Sequence, residues 1–82
     1  ISIINYVKRT KENVVLVDAS NEGQFTNDPY IKKNKVQSLL CAPILNKGEL
    51  SGIIYLENDL TTGAFTKERV NILQILASQA AI

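Results

Sequence analysis

An α+β fold, an antiparallel sheet of about three strands with flanking helices, is predicted by three features of this sequence. The stretch LLCAPILNKGELSGIIYLEN, Leu39 to Asn58, holds two apolar runs around Asn46-Lys47-Gly48 and reads as a β-hairpin. The run NVVLVD, Asn13 to Asp18, is short, β-branched and apolar, as a buried strand is. Beyond Phe65-Thr66, the pattern changes to a helical one that continues to the end of the chain.

The elements follow in order. In ISIINYVKRT, Ile1 to Thr10, the side chains Ile3, Ile4 and Val7 fall on one helical face, and Lys8, Arg9 and Lys11 gather where cations suit the helix dipole. The strand Asn13–Asp18 comes next. From Ala19 to Lys35 the chain is irregular: Asn21-Glu22-Gly23 has turn chemistry, and Asp28-Pro29 is a cap followed by a proline at the first helical position, starting a short helix from about Pro29 to Asn34. A connection of that length within a compact domain is often functional. In the hairpin, Leu40, Ala42 and Ile44 alternate with Leu39, Cys41, Pro43 and Leu45, and Leu50, Gly52, Ile54 and Leu56 alternate with Ser51, Ile53, Tyr55 and Glu57. The expected turn is type I followed by a left-handed Gly48 forming a bulge, and Pro43 marks a bulge or an edge-facing position. Glu57 to Thr66 is a polar loop. Phe65 and Thr66 form a staple and N-cap for the last helix.

Both hairpin strands are apolar on both faces, whereas a sheet with one wet face alternates. Cover is therefore expected on each side. The last helix carries a narrow polar stripe (Asn71, Gln74, Ser78) between two apolar ones, Val70, Leu73, Ala77 and Ala80 on one side and Ile72, Ile75, Leu76 and Ile82 on the other. A helix covering one sheet needs a single stripe, so this one is expected to pack on the sheet and on another helix.

Composition narrows the function. The chain is 45% hydrophobic and 21% charged with a net charge of +1, so no long-range field draws in nucleic acid or an acidic membrane. No apolar run reaches the length of a membrane span. There is no histidine, hence no imidazole base and no histidine metal site, and Cys41 stands alone among leucines, an inert core thiol in a reducing, cytoplasmic setting. Gly48, Gly52 and Gly63 form no phosphate-binding loop. The carboxylates Asp18, Glu22, Asp28, Glu57 and Asp59 lie scattered at loop ends, where caps and solvated turns account for them. A binding or regulatory module is what remains. With no methionine and an isoleucine at each end, residues 1–82 are expected to be a piece of a longer polypeptide.

The stretches NYVKRTKENVVLVDASNEGQFTNDPYI and SLLCAPILNKGELSGIIYLENDLTTGAFT, with the ending LQILASQAAI, resemble the later part of the GAF domains found in large multi-sensor histidine kinases. The resemblance runs from Ile4 to Ile82. It implies a profilin-like antiparallel sheet with flanking helices, of which the family's N-terminal helix and first two strands are absent here. In the family the strand matching Leu50 to Glu57 sits mid-sheet, so its open side here would make Ile53 and Tyr55 candidates for a homo-oligomer interface, together with Ile72, Ile75 and Gln79 on the last helix.

The resemblance also implies a sensory module that binds a small molecule, or only dimerises, and so controls kinase modules of the same polypeptide. The family's ligand lies against the sheet under the connection that here spans Ala19 to Leu39, which makes Asp18, Phe25, Asp28 and Tyr30 the candidate ligand residues by position. Phe25 and Tyr30 have an alternative role in pinning the loop to the core. Cys41 precedes Ala42 in a strand and does not match the cysteine-histidine of bilin attachment, and the cyclic-nucleotide pattern of the family is not found. No cofactor or ligand is named. The rivals are a purely structural dimerisation domain and an enzyme using scattered carboxylates, for which no converging acid pair is visible.

Overall fold

The computed structural model describes residues 2–80, apart from the side chains at 78 and 80. Its elements are α1 (Ser2–Thr10), β1 (Val14–Leu16), α2 (Pro29–Asn34), β2 (Ser38–Asn46), β3 (Glu49–Asn58) and α3 (Lys67–Ala80). The strands form one antiparallel sheet in the order β1-β2-β3. This is the predicted α+β architecture, in the predicted order. Ile82, one member of the second apolar stripe, lies outside the described residues, as do Ile1 and the side chains of Ser78 and Ala80.

Strand alternation sorts the core into two layers. Leu39 and Cys41 face α1 and the connection, where Ile3, Val7, Val14, Ala19, Ile31 and Val36 are buried with them. Leu40 and Ala42 face α3 and meet Val70, with Phe65 and Leu73 packed alongside. Every residue of β2 from Ser38 to Pro43 is buried, which is why this strand is apolar on both faces. β3 has the same composition but lies at an edge, and Gly52 to Tyr55 are only half-buried.

Local chemistry explains the element ends. α1 stops at Lys11, whose left-handed backbone (φ 58°) turns its N–H onto the Val7 carbonyl at 2.8 Å. α2 stops at Lys35 in the same conformation (φ 52°). β1 is shorter than the expected Asn13–Asp18, because the Val17 carbonyl accepts the Gly63 N–H (2.8 Å) instead of continuing the ladder, and the Val17 side chain stays exposed.

The hairpin turn also differs from expectation. Asn46 pairs with Glu49, so Lys47 and Gly48 form a two-residue loop in which both φ angles are positive (54° and 80°), the type I′ signature. The bulge lies further along: Ile44 pairs with Gly52 and Leu45 with Leu50, leaving Ser51 as the extra residue. That extra residue moves Leu50 onto the face of Ile53 and Tyr55. Pro43 sits beyond the last β1 pair, Val14 with Cys41, where β2 has a ladder on one side only. At the start of α3, Thr66 caps as expected, its hydroxyl accepting the Arg69 N–H at 3.3 Å.

Candidate functional site

The connection between β1 and β2 folds down onto the α1 face and is held by side chains at several points. Asp28 is the N-cap of α2: Oδ1 accepts the backbone N–H of Tyr30 (2.8 Å) and of Ile31 (3.4 Å), while Oδ2 accepts the Ser2 hydroxyl. Asp28 is 7% exposed. Burial by itself would raise its pKa, but the hydrogen bonds from Ser2, Tyr30 and Ile31 outweigh that and hold it below the usual carboxylate value.

Asp18 closes the following turn, accepting the Asn21 side-chain amide at 3.2 Å while its carbonyl accepts the Glu22 N–H at 2.8 Å. Phe25 packs edge-on against Tyr6, centroids 5.7 Å apart. Ser20 donates to the Val36 carbonyl at 2.8 Å, drawing the two ends of the connection together.

Tyr30 reaches the sheet. Its hydroxyl donates to Glu57 Oε1 (2.7 Å), and the hydroxyl of Tyr55 donates to Oε2 of the same carboxylate (3.0 Å), with the two rings edge to face at 6.5 Å. The Tyr30 phenol is raised by its hydrogen bond to Glu57, by burial and by the carboxylate charge, in that order. Burial raises the Tyr55 phenol first, and Glu57 adds to it. Both phenols therefore stay protonated and donating.

Among the four candidate ligand residues, the structure brings Asp28 and Tyr30 together at the start of α2 and places Asp18 and Phe25 at separate contacts. Ser2 and Glu57 complete these contacts and were not singled out as site residues. Glu57 had one signal, the Tyr55-x-Glu57 spacing that puts both side chains on one strand face; Ser2 had none.

The space directly under the connection is filled by Ala19, Ile31 and Val36 against Leu39 and Cys41. Open space lies elsewhere. A groove of about 390 Å³ runs between α1 and the outer half of β3, lined by Ile4, Lys8, Leu50, Ile53 and Tyr55. Two more flank α3: one of about 460 Å³ beside Phe65, Arg69 and Ile72, and one of about 500 Å³ beside Val15, Val17 and Val70. None of these three is lined by Asp18, Phe25, Asp28 or Tyr30.

Burial pushes the Cys41 thiol up, away from the thiolate that a nucleophile needs. Among the described residues no three carboxylate or cysteine side chains converge as a metal site, and no helix is long and apolar enough to cross a membrane.

The candidate oligomer residues divide similarly. Ile53 and Tyr55 lie half-buried on β3, whose outer edge has no strand beside it among the described residues. Ile72 and Ile75 are 58% and 62% exposed, Leu76 is 61% exposed, and Gln79 is exposed one turn further on. Gln74, predicted to sit in a plain polar stripe, has a specific partner: it exchanges two hydrogen bonds with Asn13, at 2.8 and 3.2 Å.

This arrangement is a small antiparallel sheet with a folded connection and short helix on one face and a capped helix on the other, an α+β module. The model of the GAF domain family matches residues 1–82, and the chain belongs to that family. It is 44% identical over its whole length to hybrid signal transduction histidine kinase G of Dictyostelium discoideum, of which it spans 2%. Among solved structures, the GAF domain region of a protein from Geobacter sulfurreducens PCA superposes with a TM-score of 0.77 at 24% identity, over 95% of this chain and 52% of that one. The type II free methionine-R-sulfoxide reductase of Thermoplasma acidophilum gives 0.74 at 22% identity, over 96% and 52%. The chain thus spans about half the length of these structures, and at such identities they show the fold alone.

Proposed function

We propose that this chain is a non-catalytic sensory module of a multi-domain, cytoplasmic signal-transduction histidine kinase, which responds to a small molecule, to dimerisation, or to both, and biases the kinase modules of the same polypeptide. The kinship with a hybrid histidine kinase across all 82 residues supports the context. The observation that carries the mechanism is the state of α3. It buries Val70 and packs Leu73 on the sheet, while Ile72, Ile75 and Leu76 face solvent on a 14-residue helix. An apolar stripe left open beside a satisfied one is suited to pairing with a second copy. Pairing along the open edge of β3, at Ile53 and Tyr55, is the other route to a homo-oligomer.

In this reading a ligand meets the protein on the α1 face, where Asp28 and Tyr30 at the start of α2, and Asp18 and Phe25 at their separate contacts, hold the connection. A structural dimerisation module without a ligand is the second reading, favoured by the filled space beneath the connection. Native mass spectrometry of the domain purified from its own host separates the two: a stoichiometric small molecule supports sensing, and its absence supports dimerisation alone. The α3 interface is tested by Ile75→Glu in the intact protein. Sedimentation should show dimers converted to monomers at micromolar concentration. Unchanged association would remove α3 from the interface.

A further inference from the structure

Deepening the sensory reading, on which it rests, we propose that α1 is the mechanical link between the β1–β2 connection and α3, fastened at one end by Ser2 to Asp28 and at the other by Asn13 to Gln74. The first joint is on a buried carboxylate. The Asp28 oxygen that accepts the Ser2 hydroxyl belongs to the same group that caps α2, so the start of α2 and the start of α1 share one anchor. Any displacement of the connection at Asp28 pulls on the N-terminus of α1.

α1 is one continuous helix of nine residues, about 14 Å at 1.5 Å per residue. It is stiffened at its far end by the Thr10 hydroxyl on the Tyr6 carbonyl (2.9 Å) and closed by the Lys11 N–H on Val7. Lys11 also ties this end to the hairpin turn, its ammonium donating to the Gly48 carbonyl at 3.2 Å. Two residues on, Asn13 and Gln74 each donate to and accept from the other.

Among the described residues this reciprocal pair is the only side-chain to side-chain hydrogen bonding that α3 makes with the rest of the chain. A pair of parallel hydrogen bonds between two planar amides fixes orientation as well as distance. Gln74 lies between the buried Val70–Leu73 side and the exposed Ile75–Leu76 side. With Val70 and Leu73 seating α3 on the sheet, this exposed amide pair biases the rotation of the helix and, with it, the direction in which the exposed stripe points. Motion of the connection reaches α3 through α1 and these two joints, beside the packing that both helices make on β2.

The test is amide hydrogen exchange on the chain and three variants. Ser2→Ala cuts the near joint and touches nothing in α3, yet it should raise exchange several-fold across Val70–Ala77. Gln74→Ala, which cuts the far joint, should raise exchange there as well. The double variant should add little to Gln74→Ala, because both cuts open one path. Ser2→Thr, which keeps the hydroxyl, should restore wild-type exchange in α3. Ser51→Ala is the control: it removes a hydrogen bond to the Ile44 carbonyl within the hairpin, away from the connection and both joints, and should leave α3 unchanged. The proposal is overturned if Ser2→Ala leaves α3 unchanged, if the two effects add, or if Ser51→Ala disturbs α3 equally. These readouts need neither a ligand nor a dimer, so they separate failure of the link from failure of the sensory reading.

Discussion

Asp28 does the work of a cap and a clamp with one carboxylate, and its environment makes that work pH-dependent. Three N–H or O–H donors from Ser2, Tyr30 and Ile31 favour the ionised form and hold the folded-state pKa below the reference value of 3.8. A depressed carboxylate contributes stability that is complete above its unfolded pKa and is lost as the pH falls through the folded one. Acid titration of folding should therefore show wild type losing stability more steeply than Asp28→Asn below about pH 4, the amide keeping an acceptor for α2 but carrying no charge. At neutral pH, Asp28→Ala should cost about 1 kcal/mol or somewhat more, since the Ser2 hydroxyl also loses its acceptor. Both variants are read by urea denaturation.

At the scale of elements, the hairpin, α2 and α1 share one device: a lysine in the left-handed conformation. Lys47, Lys35 and Lys11 have φ of 54°, 52° and 58°. Lysine carries no sequence signal for such a position, and for this reason the sequence suggests a type I turn with a bulge at Gly48 when the chain forms a type I′ turn. The penalty should be recoverable. Lys47→Asn installs the Asn-Gly pair that type I′ loops favour and should stabilise the domain by a few tenths of a kcal/mol, visible as a small rise in melting temperature.

The same scale explains the two strands of equal apolarity. β2 is buried because elements cover both its faces and β1 flanks its second edge from Leu39 to Cys41, whereas β3 has a strand on one side only. The exposed stripe of α3 and the open edge of β3 are therefore the element-level features on which the proposed association depends.

For the molecule as a whole, stability resides in two thin layers on either side of β2, and the α3 layer is the smaller. Among the described residues, only Leu40, Ala42 and Val70 are fully part of it. Leu40→Ala removes the largest of the three from a fully buried position and should cost about 2–5 kcal/mol, a large fraction of the roughly 5–15 kcal/mol that holds a typical domain. Val15→Ala on the same face, at 39% exposure, should cost well under half as much in the same denaturation series.

Much of this organisation is legible in the sequence. The helix Ser2–Thr10, the Asp28-Pro29 start, the hairpin and the Thr66 cap all appear where periodicity and capping chemistry place them, because those signals act over a few residues. The candidate site was less legible. Asp18 and Phe25 could be named from position in the family, but their contacts with Asn21 and Tyr6 could not.

Local spacing by itself determined the element order and the apolarity of both faces of β2, since each depends on neighbours within a turn or a strand. Tertiary structure alone decided that Tyr30 would meet Glu57 across 27 residues and Gln74 would meet Asn13 across 61. Polar side chains find such partners only after packing has fixed the backbones that carry them. No periodicity records that meeting, because the hydrophobic pattern specifies which face turns inward and leaves open what the polar groups at the rim will touch.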